Sequence, residues 1–211
     1  MPDLSGEFAR RVRLAAELAR KLEIARGRLS GRSDRALLHP ERLELVYEMA
    51  FFRCYLAWEE FLEQAFIRYL AGYISPLYAP VAAPGKSLFA GLVSARQAYL
   101  SGKQYKLWHD PLIVVNRTRG FLAGCPIETV IQSAISDLDL YAKVRHRIAH
   151  AQENAKANFD AACVTLLGHT IKGSKPGKLL RSRTPLVAGG ATRTWLEDIS
   201  NVYVALAAQI A

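Results

Sequence analysis

Arginine and histidine side chains suited to phosphodiester chemistry occur together in the stretch Arg145-His146-Arg147-Ile148-Ala149-His150. The guanidinium of arginine is permanently charged and planar, and it can bind two phosphate oxygens at once. The unperturbed pKa of histidine lies near neutrality, so an imidazole can both donate and accept a proton. Arg145, followed directly by one histidine and by a second at position 150, therefore forms a candidate site for acting on a phosphodiester.

The element that carries this stretch determines whether Arg145 and His150 can act together. On an unbroken helix each residue turns by about 100°, so these two side chains would point about 140° apart. Two arrangements would bring them to one site. The helix can end between them, with His150 in the loop before Asn154, or two copies of the chain can each contribute an arginine and a histidine.

A metal site and a structural role are the alternatives for the histidines. His146 and His150 are four positions apart, a spacing that can bind a metal from one helix face, with Glu153 as the local candidate for a third ligand. A histidine near a helix end can also simply cap or pack. We expect no metal, because Glu153 is the only local candidate for a third ligand. We also expect no cofactor, and the sequence contains neither the phosphate-binding pattern GxxxxGK[ST] nor a Gly-x-Ser-x-Gly elbow.

Apolar residues at helical spacing along the chain predict an all-α fold. The helix over 40–70 is apolar on more than one face and is expected to be central and buried. Residues 170–183 are expected to form a short strand or an extended arm, and 184–190 a loop. The other helices are predicted over 7–26, 87–101, 111–124 after an Asp110 cap, 127–144 leading into the motif, 154–168 after an Asn154 cap, and 195–210.

Composition and charge favour a globular domain with a polyanionic partner. Of the 211 residues, 51% are hydrophobic and the formal net charge is +9, which predicts a single domain over 1–211 that binds a polyanion. Basic residues are concentrated near the N-terminus and in the stretch 170–183, which contains five Lys or Arg and no acid. Taken alone, such a stretch can equally be a solvated face.

The cysteines and the N-terminus bear on the cellular environment. Cys54, Cys125 and Cys163 form no CxxC pair, which argues against a disulfide framework and a zinc ribbon, and Cys54 and Cys163 are expected to be buried. The N-terminus lacks the basic-then-apolar order of a signal peptide, and no apolar run is long enough to span a bilayer. We therefore expect a cytoplasmic protein with no membrane association.

The run from Val144 to Ala151, followed by Phe159, resembles the R-x(4–6)-H motif of the HEPN superfamily, all-helical domains that include many RNases of toxin and antiviral systems. The segments 45–72, 108–124, 177–181 and 195–199 are also similar to parts of bacterial HEPN domains. The resemblance implies a HEPN-like helical bundle with a long central helix and extra short helices. It also implies a homodimer whose composite site forms between two motifs.

The activity implied by the resemblance is metal-independent endoribonuclease chemistry, with the ribose 2′-hydroxyl as the attacking group. His150 would act as general acid or base, Arg145 would hold the scissile phosphate, and His146 would orient its neighbours or share in proton transfer. Glu59 and Glu60 are candidates to contact an imidazole or arginine of the motif. Candidate RNA-binding residues are Lys143, Arg147, Lys172, Lys175, Lys178, Arg181 and Arg183.

The resemblance also implies a toxin or defence effector, with RNA as substrate and an antitoxin or operon-encoded protein as a further partner. Two other functions stay open from the sequence. One is a HEPN-type module that holds RNA or a nucleotide without cutting it, and the other is a helical interaction domain in which the motif is structural. Trp58, Trp108 and Trp195 are expected to pack in the core rather than to stack on bases.

Overall fold

The structure is a computed structural model that describes residues 3–31, 36–184 and 193–211. It is 70% helical, which confirms the all-α fold class. The predicted loop over 184–190 lies outside the described residues except for Thr184. The helices are α1 (Leu4–Arg28), α2 (Pro40–Leu70), α3 (Leu92–Leu100), α4 (Pro111–Phe121), α5 (Pro126–Ser133), α6 (Ile135–Ala149), α7 (Glu153–Leu167), α8 (Pro176–Arg181) and α9 (Trp195–Ile210).

The chain divides into two compact units. The first unit comprises Met1–Ala9, Leu56–Asp139 and Tyr203–Ala211, and the second comprises Arg10–Tyr55 and Leu140–Val202. Each boundary falls inside a helix, so α1, α2, α6 and α9 contribute residues to both units. The motif from Arg145 to His150 lies in the second unit.

Aromatic side chains form much of the core of the first unit. The ring of Trp58 stacks on Tyr203 with 5.2 Å between centroids, and Phe8 packs against both Trp58 and Phe61. Farther along α2, Phe66 contacts the rings of Tyr99, Trp108 and Phe121 edge-on. Trp58, Trp108 and Trp195 are all buried, which confirms that they pack in the core.

The second unit is held together by close packing on the first half of α2. A side chain at Gly177 would place its Cβ 2.2 Å from the carbonyl oxygen of Glu44. Only glycine at this position lets α8 lie so close to the backbone of α2. The amide of Gly177 donates to Oε1 of Glu48 at 2.8 Å. Cys54 is buried beside the carbonyl of Val12. All three cysteines are buried and free.

Several helix limits agree with the sequence analysis. The predicted bounds of α2 and α9 match the structure. Asp110 caps α4 as expected, because its carboxylate accepts from the amide of Ile113 and Pro111 follows in the first turn. Gly168 ends α7 with a φ of 77°, in the left-handed region that glycine adopts most readily.

Other predicted limits were wrong. The helix expected over 127–144 is interrupted at Ala134, where the backbone leaves the helical conformation (φ −108°, ψ 14°) and the amide is shared between the carbonyls of Val130 and Ile131. The helix expected from residue 87 begins at Leu92, after an extended Gly91. Gln152, rather than Asn154, occupies the cap position of α7.

Residues 170–183, expected to form a strand or an extended arm, instead contain a turn and the six-residue helix α8. Pro176 occupies the first turn of this helix, and Leu179 and Leu180 are fully buried. Burial of this leucine pair explains why the segment packs within the second unit although it carries five basic residues. Within the described residues, the strand-like pairing of this segment is limited to one isolated antiparallel β-bridge between Arg183 and Thr194.

Candidate functional site

The motif lies at the C-terminal end of α6. Arg145, His146 and Arg147 occupy the last turns of the helix, which ends at Ala149, so His150 is the first residue beyond it. The amide of His150 still donates to the carbonyl of His146 at 3.0 Å. Of the two arrangements left open by the sequence, a helix end between arginine and histidine is present within one chain.

Arg145 lies against two aromatic rings of α2. Its guanidinium carbon is 5.5 Å from the ring centroid of Phe52 and 5.9 Å from that of Tyr55. Such cation–π contacts stabilise the charged group and hold its plane in place. Nε of Arg145 is buried and has no hydrogen-bond partner among the described residues. The Nε atoms of Arg26 and Arg68 are in the same state, so what distinguishes Arg145 is its position on two rings beside the histidines.

The two histidine rings of the motif are in contact. The ring centroids of His146 and His150 are 4.6 Å apart. Partial burial lowers the pKa of His146, and the positive charges of His150 and Arg145 lower it further. Both neighbours therefore act electrostatically on His146, and at neutral pH the folded chain favours the uncharged form of His146.

Arg147 connects the motif to the turn before α8. Its Nε donates to the carbonyl of Ser174 at 3.3 Å, and its Nη1 donates to the carbonyl of His150 at 3.4 Å. Ser174 is buried, has a φ of 46°, and donates from its hydroxyl to both carboxylate oxygens of Asp160. Arg147 thus fixes the backbone at His150, a positioning role beside its expected contact with RNA.

The basic stretch 170–183 is partly neutralised by acids from distant helices. Arg181 forms two 2.7 Å hydrogen bonds with the carboxylate of Glu23, which lowers the pKa of that carboxyl. Nζ of Lys175 lies 3.1 Å from Glu41 and 3.9 Å from Glu44.

The remaining candidate RNA-binding residues differ in exposure. Lys172 and Lys178 are exposed and have no ion-pair partner among the described residues. Arg183 is exposed and Lys143 is half-buried, and both make further interactions. RNA contacts by the group as a whole stay a prediction.

Glu59 and Glu60, expected to contact the motif, belong to the first unit. Oε1 of Glu59 lies 3.8 Å from Nδ1 of His109, so it does stand beside an imidazole, though not one of the motif. Oε1 of Glu60 accepts a hydrogen bond from the amide of Gln64 on the same helix. A contact of either carboxylate with the motif stays a prediction.

Two features of the described residues bear on metals and membranes. They contain no cluster of three or more His, Cys, Asp or Glu side chains placed to hold a metal ion. Glu153, the local candidate for a third ligand beside the two histidines, pairs with Lys156 at 3.0 Å. Among the helices that are described, none has the length and apolar character to cross a membrane.

No protein-family model, curated protein or solved structure matches the chain. Its resemblance to HEPN domains therefore stays a prediction that is carried by the motif and by the helical fold class.

Several residues of the site were not singled out from the sequence. Phe52 and Tyr55 fit the apolar pattern of α2, which signals core and does not reveal a platform for arginine. Asp160 and Ser174, which hold the turn under Arg147, are 14 positions apart and form no local pattern.

Proposed function

We propose that this protein binds RNA and cleaves its phosphodiester bonds without a metal ion, in the manner of HEPN ribonucleases. The observation that carries the proposal is the contact between the His146 and His150 rings beside Arg145, at the end of one helix. Attack by a ribose 2′-hydroxyl needs a base for that hydroxyl, an acid for the 5′-oxygen and a positive charge at the phosphate. The three side chains supply these groups.

The contact between the rings suits a pair that works with one proton. Because two imidazolium ions at this distance repel each other, protonation of one ring disfavours protonation of the other. The lowered pKa of His146 favours its neutral form, so His146 would serve as the base, and the acid would then be His150. A 2′,3′-cyclic phosphate and a free 5′-hydroxyl would be the products.

The rings of Phe52 and Tyr55 would orient the charge that meets the phosphate. A guanidinium held by two rings loses little conformational freedom when it binds, which favours binding. The net charge of +9 would attract RNA toward this site. We further propose that two copies of the chain form the active species, since the resemblance implies a composite site between two motifs.

The test is cleavage of end-labelled single-stranded RNA by purified protein in EDTA. Wild type should cut and leave cyclic-phosphate ends, whereas Arg145→Ala and His150→Ala should each lose roughly 100-fold or more in rate. Arg53→Ala and His169→Ala, which remove exposed residues of the same types in the second unit, should retain activity. Cutting that requires a metal, or that persists in both motif variants, would refute the proposal.

The dimer is tested by dilution of the same enzyme. If two copies complete one site, the rate should fall with the square of the protein concentration once the dimer dissociates. A rate that remains proportional to concentration down to the monomeric form, measured beside sedimentation of the same samples, would show that one chain suffices.

A non-cleaving RNA-binding module is the second candidate, favoured by the partly buried position of Arg145 on its rings. It predicts that wild type binds RNA without cutting it. Affinity should then fall in Arg145→Ala.

A further inference from the structure

A cavity in the second unit is lined by arginines outside the motif. It has a volume of about 270 Å³ and lies among residues of α1 and of the segment 193–201. Arg13 and Arg20 enter it from α1, two helical turns apart, and Arg193 enters it from just before α9. These positions bring three permanent positive charges to one concave surface.

The three guanidiniums are not neutralised by direct contact. None of Arg13, Arg20 and Arg193 has a hydrogen-bonded or ion-paired side chain among the described residues. The charge of Arg20 contributes only a minor part of the lowering of the Glu17 pKa. The three arginines outnumber the two carboxylates of the lining, Glu17 and Glu197, so the cavity has a net positive charge that attracts an anion.

Both carboxylates at the cavity wall have other donors. Glu17 pairs with Lys21 at 2.9 Å, and this hydrogen bond is the main cause of its lowered pKa. Glu197 accepts from the amide and hydroxyl of Thr194 at 2.9 and 3.1 Å, where it caps the start of α9. Each carboxylate therefore already accepts from another donor through one of its oxygens, whereas the three guanidiniums have no such partner among the described residues.

Two uncharged donors complete the wall. Ser200 is 4% exposed, and its hydroxyl has only the sulfur of Cys54, at 3.9 Å, as a partner within the described residues. Asn201 is exposed and adds a side-chain amide. A hydroxyl, an amide and three guanidiniums around one space match the oxygens of a tetrahedral oxyanion.

We propose that this cavity is a phosphate-binding site, distinct in its residues from the motif. Its volume accommodates a phosphate group together with part of an attached sugar, and its arginines can bind the oxygens in pairs. The phosphate can belong to an RNA strand or to a free nucleotide, and both offer the same chemistry to these residues. In the first case, which rests on the proposed function, the cavity would hold a backbone phosphate away from the cleaved bond.

The experiment compares two triple variants that remove equal charge. The first variant, the cavity triple, carries Arg13→Gln, Arg20→Gln and Arg193→Gln, which remove the three positively charged side chains of the cavity. Its matched control, the control triple, carries glutamine in place of Arg10, Arg28 and Arg53. These are exposed arginines of the second unit that do not line the cavity. Far-UV circular dichroism establishes that both variants fold, and inorganic phosphate and AMP serve as probes against chloride at equal ionic strength.

Phosphate and AMP should raise the melting temperature of wild type and of the control triple, because a ligand that binds only the folded chain stabilises it. The cavity triple should show a smaller shift than wild type and the control triple, because only the phosphate contact of the motif is left to it, and its affinity for AMP by calorimetry should fall at least about tenfold. A shift of equal size in all three proteins, or in none, would overturn the proposal.

Two further arms separate the source of the phosphate from the cleavage reaction. In the first arm, binding of a short labelled RNA is measured over a range of salt concentrations. The slope of the logarithm of the binding constant against the logarithm of the salt concentration should be smaller by about 0.7 for each lost phosphate contact, in the cavity triple alone. An RNA slope equal in both triples, with the AMP response reduced only in the cavity triple, assigns the site to a free nucleotide. His150→Ala should keep the phosphate response whether or not wild type cleaves RNA, so the two proposals fail separately.

Discussion

Replacing Gly177 with alanine would place a methyl group 2.2 Å from the carbonyl oxygen of Glu44 and 2.5 Å from its carbonyl carbon. Non-bonded atoms of this kind normally come no closer than about 3.4 Å, so α8 would have to move away from α2 by roughly 1 Å. The obstacle is helix backbone, which cannot rotate away as a side chain can. Overpacking of this kind costs about 1–3 kcal/mol.

The same displacement would weaken the hydrogen bond from the amide of Gly177 to Glu48, which is 2.8 Å long. A hydrogen bond to a charged group contributes about 1.5–3 kcal/mol, so we expect Gly177→Ala to lose about 3 kcal/mol in total. For a chain of this size, each kcal/mol lowers the melting temperature by roughly 2–4 °C. The expected decrease is therefore about 6–12 °C.

Thermal unfolding followed by circular dichroism measures this decrease. Gly27→Ala is the matched control, since a Cβ at Gly27 would meet nothing within 4 Å and alanine favours the helical conformation. Its melting temperature should stay the same or rise. If Gly177→Ala melts within about 2 °C of wild type, the close approach of α8 to α2 is not what holds the basic segment in place.

Three further predictions concern the site and the turn beneath it. The pKa of His146 is lowered from 6.5, so the unfolded chain binds more protons as the pH falls through that value, and wild type should lose stability there. In urea unfolding the loss should be smaller for His146→Asn, and an equal loss would contradict the lowered pKa. Half-burial raises the pKa of Glu48 above 4.5, so wild type should lose stability as the pH rises from 4.5 through the raised value. As the pH rises through this range, Glu48→Gln should become more stable relative to wild type. A difference between their urea midpoints that does not change with pH would refute the raised pKa of Glu48. Ser174→Ala removes the hydroxyl that binds both oxygens of Asp160, so it should cost about 1.5–3 kcal/mol in the same assay, and an unchanged midpoint would show that the bond is dispensable.

Local signals in the sequence predicted much of the helical framework. The bounds of α2 and α9 follow from continuous apolar periodicity, and the start of α4 follows from the Asp110-Pro111 pair. The break at Ala134 was missed because apolar residues continue at helical spacing on both sides of it. A pattern of residue types records which faces are buried, and it does not record every local exchange of hydrogen bonds.

The basic stretch shows why distant contacts could not be predicted. Residues 170–183 contain no acid, so their charges looked unopposed, yet Glu23 binds Arg181 and Glu41 binds Lys175 from more than 130 positions away in the chain. The fold of this segment also depends on the approach of Gly177 to Glu44, which no spacing within the segment encodes.

The candidate site was predicted in part. The sequence identified Arg145, His146 and His150, and it offered a helix end between them as one of two arrangements. The histidine contact and the ring platform of Phe52 and Tyr55 required the structure, because they depend on side-chain directions across two helices.

The end of α6 at Ala149 has a consequence for how this stretch can vary in length. A residue inserted between Arg145 and Ala149 would turn the rest of the helix by about 100° and move its apolar face out of register. The same insertion in the connection 150–152 would lengthen a loop and leave Arg145 on its aromatic rings. Insertions and deletions should therefore accumulate on the histidine side of the motif, while the arginine side keeps a fixed length.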